Sequence, residues 1–439
     1  MRKIYQYILM AVAVVATASC SNELDETLQP ANNGTLQFVV SDFPTFGEDA
    51  QTRTIGTQDE GKTAWENEDK ILVHLYSQKY GDQAVTLTFD AENNTWESDG
   101  GTLSYLENET PTITAVYAPD CEIKSDRTIG LLEGKQYGEA EYIPAKTTIS
   151  ENSLDINFES GRTYSRLRIA GLANQTLTVT TTDFTPAGAT EVATAAYTLT
   201  TDTNGNAFLY GVFAEGATVI VKQGDVVLKD YTFTAEKNPN GTAHNKSYAL
   251  DATPVIDGTL GGKTEATEEE LAAMVELLKS YIENGLTTII VTGSQPALLL
   301  KDGYLTPVVS LAFEQLTYAY QDEKNDSYWG TVDLIYQDVT EIVEYEFYVC
   351  DVLKSITLPK VTTVGDRGFW ACYYLETLTF GSVVTAINDN SGEVFYDLGY
   401  EIDGCNLVLN KDQGNVEGLA PDLANNTWAG YTWKSIILK

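Results

Sequence analysis

The chain has 439 residues, with 27 Lys and Arg against 63 Asp and Glu, a net charge of −36 and only two histidines. So negative a balance argues against nucleic acid and anionic lipid headgroups as partners. His74 and His244 lie far apart in sequence, which leaves little material for imidazole-dependent metal or acid–base chemistry. The length allows two or three domains, each able to bury its own core.

Residues 1–20 have the form of an export signal. Arg2 and Lys3 precede an apolar stretch, Ile8 to Ala18, that is too short to span a bilayer. It closes on Thr17-Ala18-Ser19-Cys20, which resembles the lipobox of bacterial lipoproteins, although Thr17 stands where Leu is usual. The resemblance implies acylation of Cys20, which becomes the new N-terminus of a surface-exposed outer-membrane lipoprotein. Cleavage near Ala18 by an ordinary secretory route is the alternative. The acidic segment after Cys20, Ser21-Asn22-Glu23-Leu24-Asp25-Glu26, resembles the export tether of Bacteroides-type lipoproteins, and residues 21–34 are expected to be a flexible leash. Cys121, Cys350, Cys372 and Cys405 are too few for a disulfide scaffold in a chain of this size.

From Thr35 to about Asp251, short runs alternate apolar and polar residues: Leu36-Phe38-Val40, Ile71-Val73-Leu75, Val85-Leu87-Phe89, Val219-Val221 and Tyr231-Phe233. Turn residues such as Asn93-Asn94, Asn204-Gly205 and Gln223-Gly224-Asp225 separate them, the pattern of antiparallel sheets. The segment Thr63-Ala64-Trp65-Glu66-Asn67-Glu68-Asp69-Lys70-Ile71-Leu72-Val73 resembles the Trp, Gly-Asp, Ile motif of fimbrillin-like proteins, with Glu68 in place of the usual Gly. Tyr117-Ala118-Pro119, Tyr164 to Ile169 and His244 to Leu250 are similar to further segments of that family. The resemblance implies two tandem transthyretin-like β-sandwiches, at 35–158 and 159–252. It also implies a surface role as pilus, pilus-tip or anchor subunit, and proteolytic maturation after an arginine. Arg53 is the only arginine between the leash and Trp65, and reads equally as an exposed loop residue.

Residues 253–266, with Pro254, Gly258, Gly261 and Gly262, read as a linker. Thr267-Glu268-Glu269-Glu270 is a capping box. It predicts a helix with Leu271, Met274, Val275, Leu278 and Ile282 on one face, stopped by Gly285. The β-branched run Thr287 to Thr292 follows, and 267–330 is expected to be a helix-strand cap and transition into a solenoid.

In 331–439 the sequence repeats. Ile342, Phe347, Cys350, Leu353 and Ile356 recur 22 residues on as Val364, Phe369, Cys372, Leu375 and Leu378. A fixed period of this length means coils that bury their apolar faces against one another. Cys350 and Cys372 then read as small core residues, with a disulfide between them geometrically open. Leu334 falls 22 residues before Ile356, and Trp433-Lys434-Ser435-Ile436-Ile437-Leu438 echoes Leu353 to Leu358 as a closing coil. The pattern carried by Ile356, Leu358, Pro359, Val361, Val364, Gly365, Phe369, Cys372 and Leu375 resembles BspA-like leucine-rich repeats. That family's members are surface proteins that bind host matrix proteins or other bacteria, and the resemblance implies the same class of partner.

The chain has no phosphate loop, Cys-x-x-Cys pair, Gly-x-Ser-x-Gly elbow or His-Glu-x-x-His run, and the acidic clusters lack the spacing of a calcium loop. The expectation is a mainly β, non-enzymatic adhesion protein without cofactor. Aromatics crowd the repeats, and Tyr345, Tyr348, Trp370 and Tyr373 flank its buried positions as the candidate ligand-contact stripe. Two other readings stand beside it: a glycan-binding lipoprotein of a polysaccharide uptake system, and a polymerising pilus subunit.

Overall fold

A computed structural model of the chain describes residues 36–46, 62–106, 109–150, 152–158, 162–234, 242, 245–322 and 326–439. Cys20, the 21–34 leash and Arg53 lie outside the described residues. The protein is mainly β, with two α-helices among the described residues. It divides into two compact units, one of residues up to Val221 together with Lys229–Ala252, the other of Lys222–Leu228 and Thr253–Lys439.

In the first unit, Lys70–Ser77 pairs antiparallel with both Gly81–Asp90 and Thr112–Tyr117, at the centre of a five-stranded sheet. Period-two alternation sends Ile71, Val73 and Leu75 into a core shared with Leu36 and with Leu154 and Ile156 of a three-stranded sheet. Leu72 and Val116 point the other way, into a small cluster with Cys121. Trp65 packs edge-on against Phe43 and Trp96, both at 4.8 Å between ring centroids, and its Nε1 donates to the Ser41 carbonyl. Glu68, in the position where the motif ordinarily has Gly, adopts φ +68°, the left-handed conformation glycine favours. The Gln37–Val40 strand lies at the edge of its sheet and pairs parallel with Ser153–Asn157. Just beyond it, the Arg162 guanidinium sits 3.6 Å over the Phe46 ring and donates from Nη2 to Glu141 at 2.7 Å.

The later strands of this unit are hydrogen-bonded into one seven-stranded sheet. The reason lies in Thr176–Pro186. This long strand pairs with Ala193–Thr200 up to Thr181 and, after a register shift, again at Phe184, from which point it also pairs with Asn206–Phe213. Asp183, inside that irregularity, has φ +47°. A bulged strand of this kind turns a corner and serves two neighbours in succession.

The long sheet of the second unit begins with Val255–Asp257, within the glycine-rich 253–266 segment. This strand is the first of seven parallel strands, followed by Thr288–Thr292, Val332–Tyr336, Leu353–Leu358, Thr377–Phe380, Asn406–Leu409 and Ser435–Leu438. Helix α1, Glu268–Glu283, has both halves of its capping box: the Thr267 side chain accepts from Glu270 N, and the Glu270 carboxylate accepts from Thr267 N. It buries Leu271, Met274, Leu278, Tyr281 and Ile282. A second helix, α2, runs Val308–Asp322, with ten buried residues among its fifteen.

The 22-residue recurrences are spatial neighbours. Leu334 pairs with Ile356, Ile356 with Leu378, and Ile342 with Val364, all in parallel ladders. Each repeat gives one strand to the long sheet and a shorter one to a three-stranded sheet of Glu341–Ile342, Thr363–Val364 and Ala386–Ile387. Later coils are longer: Leu378 pairs with Leu407, and Leu407 with Ile436, each 29 residues on. Phe347, Phe369 and Phe395 stack through the interior at 5.5 and 5.7 Å, with planes 10° and 12° apart. Gly365 belongs to the repeat pattern because a Cβ there would stand 2.8 Å from the Glu344 nitrogen and 2.9 Å from the Ile342 carbonyl oxygen. Cys121, Cys350, Cys372 and Cys405 are buried, unbridged thiols.

Candidate functional site: an aromatic row along the repeats

Between its two strands, each coil turns through corners held by left-handed residues. Tyr345 and Arg367 occupy equivalent positions with φ +55° and +53°; Val349, Ala371 and Asp397 follow with φ +52°, +59° and +55°. Left-handed backbone at non-glycine residues costs of order 1–2 kcal/mol each. Coil-to-coil hydrogen bonds offset it: Val349 N donates to the Trp370 carbonyl at 3.0 Å, and Ala371 N to the Tyr396 carbonyl at 2.8 Å. Phe347 N and Phe369 N donate in the same way to Gly368 and Val394.

These bonds place side chains in columns. Phe347, Phe369 and Phe395 point inward, and the residue after each points outward. Tyr348 and Trp370 therefore stack at 4.9 Å with planes 3° apart, and Trp370 and Tyr396 at 6.0 Å with planes 17° apart. Tyr345 extends the row at 5.8 Å from Tyr348, and Tyr304, from the Leu298–Lys301/Tyr304–Pro307 hairpin, lies 4.5 Å from Tyr345. The Arg367 guanidinium covers Tyr345 at 5.3 Å while its Nε donates to Glu393 at 2.6 Å. Tyr345, Tyr348 and Trp370 are half-buried, whereas Tyr396 is 45% exposed.

Tyr373 sits beside this row. Its backbone N–H donates to Asp351 Oδ1 at 2.9 Å, and its ring meets that of Tyr400, 70% exposed, at 6.5 Å and 71°. Burial raises the Tyr373 hydroxyl pKa, and the fields of Asp397, Asp351, Tyr348 and Tyr396 add to it. On α2, the Tyr318 hydroxyl is pushed up to about 12, first by burial and then by Glu314, Tyr348 and Asp351 among others. Asp351 is itself pushed up to about 6 by burial, with Glu401 adding and the Tyr373 N–H opposing.

The structure thus brings Tyr345, Tyr348 and Trp370 into one row and sets Tyr373 against its flank. Tyr304, Tyr396, Tyr400 and Arg367 join them, although the repeat pattern does not mark them. Tyr396 lies 26 residues after Trp370, in a lengthened coil, so a strict 22-residue register passes over it. Tyr320 and Tyr336, also among the crowded aromatics, are core residues.

Residues 331–397 match the family model of the BspA type leucine-rich repeat region, in six copies. No curated protein sequence matches the chain. Among solved structures, the chain is similar to a candidate cell-adhesion protein of Bacteroides fragilis at 11% identity and a TM-score of 0.26, covering 50% of this chain and 92% of that one. It is similar to a fimbrial protein of Bacteroides ovatus at 10% identity and a TM-score of 0.25, covering 50% and 48% respectively.

Proposed function

We propose that the chain is a non-enzymatic adhesion protein of the cell surface, tethered through a lipid on Cys20, and that its repeat region meets a protein partner along the aromatic row. The observation that carries this reading is the row itself: Tyr345, Tyr348, Trp370 and Tyr396, fixed coil by coil and partly open to solvent. Rigid aromatics present a large contact area at little entropic cost, and interface hot spots are enriched in them. Host matrix proteins and surface proteins of other bacteria are the partner classes. A glycan is the weaker reading, because pyranose rings stack on aromatic faces and the faces inside this row cover one another.

The test is an array of immobilised matrix proteins, bacterial surface proteins and oligosaccharides probed with the full chain and with Trp370→Ala. Loss of a hot spot worth about 2 kcal/mol lowers affinity roughly 30-fold. A Trp370→Ala protein that binds every captured partner as tightly as the parent would end this reading.

The edge position of Gln37–Val40 supports a second reading, as a polymerising pilus subunit. Cleavage after Arg53 would separate that strand from the rest of the chain and leave a sheet edge with unpaired backbone groups, the requirement for strand donation.

A further inference from the structure

The row's partner chemistry can be narrowed, on the reading just given that the row is an adhesive surface. Its flank differs from its middle. Tyr348, Trp370 and Tyr396 are sealed face to face, but Tyr373 and Tyr400 meet at 71° and form an open corner. Asp397 and Asp351 act on the Tyr373 hydroxyl and Glu401 acts on Asp351, which is buried beneath the corner. Asp351 accepts the Tyr373 N–H, Glu401 N donates to the Tyr373 carbonyl at 3.1 Å, and Asp397 follows Tyr396 directly. None of the three carboxylates has a lysine or arginine as ion-pair partner among the described residues. Burial first, and the neighbouring carboxylates after it, raise the Asp351 and Tyr373 pKa values.

One step along the same surface the chain shows how such a setting is satisfied. Arg367 lies over the Tyr345 face and is held by the Glu393 carboxylate. The Tyr373–Tyr400 corner repeats the ring and the carboxylate but lacks the cation. We propose that this corner takes an arginine or lysine side chain of the partner polypeptide, its charge on Asp397 and Glu401 and its flat or aliphatic part against Tyr400. A ring face and carboxylates together favour a cation over any neutral group. The chain's net charge of −36 steers basic partners toward it over a longer range.

The probe is a blocked peptide, Gly-Arg-Gly-Arg-Gly-Arg-Gly, with its lysine and citrulline counterparts, titrated into the full chain by calorimetry. Tyr400→Ala removes an exposed ring. Asp397→Asn with Glu401→Gln removes two charges, and Asn tolerates the left-handed backbone at 397. Glu268→Gln with Glu269→Gln, in the first turn of α1, removes equal charge elsewhere. The arginine peptide should bind the parent and lose about tenfold on either corner variant. The α1 variant should bind within about twofold of the parent, and the citrulline peptide at least about tenfold more weakly. Equal losses from the corner and α1 charge variants, equal binding of the citrulline peptide, or an unaffected Tyr400→Ala would overturn the proposal. The same variants on the matrix-protein array separate this inference from the reading beneath it. If Trp370→Ala abolishes capture while the corner variants keep it, the cation inference fails and the adhesive row stands; if Trp370→Ala keeps capture, the row itself fails.

Discussion

Phe369 and Trp370 are neighbours in sequence, and the coil geometry gives their removal different consequences. Phe369 is fully buried and stacks on Phe347 at 5.5 Å and on Phe395 at 5.7 Å. Phe→Ala in a packed core costs about 3–5 kcal/mol, and two stacked partners, each worth about 0.5–1.5 kcal/mol, put this site in the upper part of that range. For a unit of this size, about 2–4 °C per kcal/mol translates the loss into a fall in melting temperature of roughly 6–20 °C. Trp370 is half-buried, so its removal forfeits the stacking with Tyr348 and Tyr396 without opening a comparable cavity, at a cost of about 1–3 kcal/mol. Scanning calorimetry and urea titration of the full chain measure both. Phe369→Ala should melt several degrees below Trp370→Ala, while Trp370→Ala alone should lose the partner. Equal costs, or a loss at Phe369 under about 1 kcal/mol, would refute the inward and outward columns.

Glu346 is buried and its pKa is pushed up to about 8, chiefly by desolvation, with Glu341 adding and the Val343 N–H and Ser310 opposing. The folded state therefore holds its proton more tightly than the unfolded chain, and stability present below about pH 4.5 falls as pH rises toward 8. Glu346→Gln should remove that slope, which urea titration across this range would reveal; an unchanged slope would show that another group sets it. Gly365→Ala drives a Cβ into the backbone of the preceding coil and should cost about 1–3 kcal/mol, whereas a neutral result would mean that the coils are not so closely packed. N-terminal sequencing and lipid labelling of protein from the cell surface test the remaining two sites. Cys20→Ser should abolish the lipid, and an intact segment upstream of Thr54 would rule out cleavage after Arg53.

The repeat region was the most legible part of the sequence because coil stacking forces apolar residues into one register. The Ile342, Ile356 and Leu334 spacings correspond directly to paired strands. Helix α1 was equally legible, since Thr267 and Glu270 announce its start and a single face is buried. Helix α2 gave no such signal. With Val308, Val309, Leu311, Ala312, Phe313 and Leu316 buried on several sides, it has no stripe to read. The glycine-rich 253–266 segment hid the strand Val255–Asp257, because three residues are too few to establish alternation. Of the aromatic row, the members in the regular coils were visible. Tyr396 was displaced by the longer coil, and Tyr304 arrives from a hairpin remote in sequence, a proximity that no local pattern encodes.

All of this depends on distant repeats lying on adjacent rungs. Asp333, Ser355, Thr377, Asn406 and Ser435 occupy successive rungs of the parallel sheet. Four strand steps of about 4.8 Å place positions 333 and 435 about 19 Å apart along the sheet. Spin labels on Asp333→Cys and Ser435→Cys, read by pulsed dipolar spectroscopy, should give one narrow distance near that value, lengthened only by the label arms. About a hundred residues of uncoiled chain would average roughly 50–60 Å, and a broad distribution in that range would contradict the stacking and the aromatic row built on it.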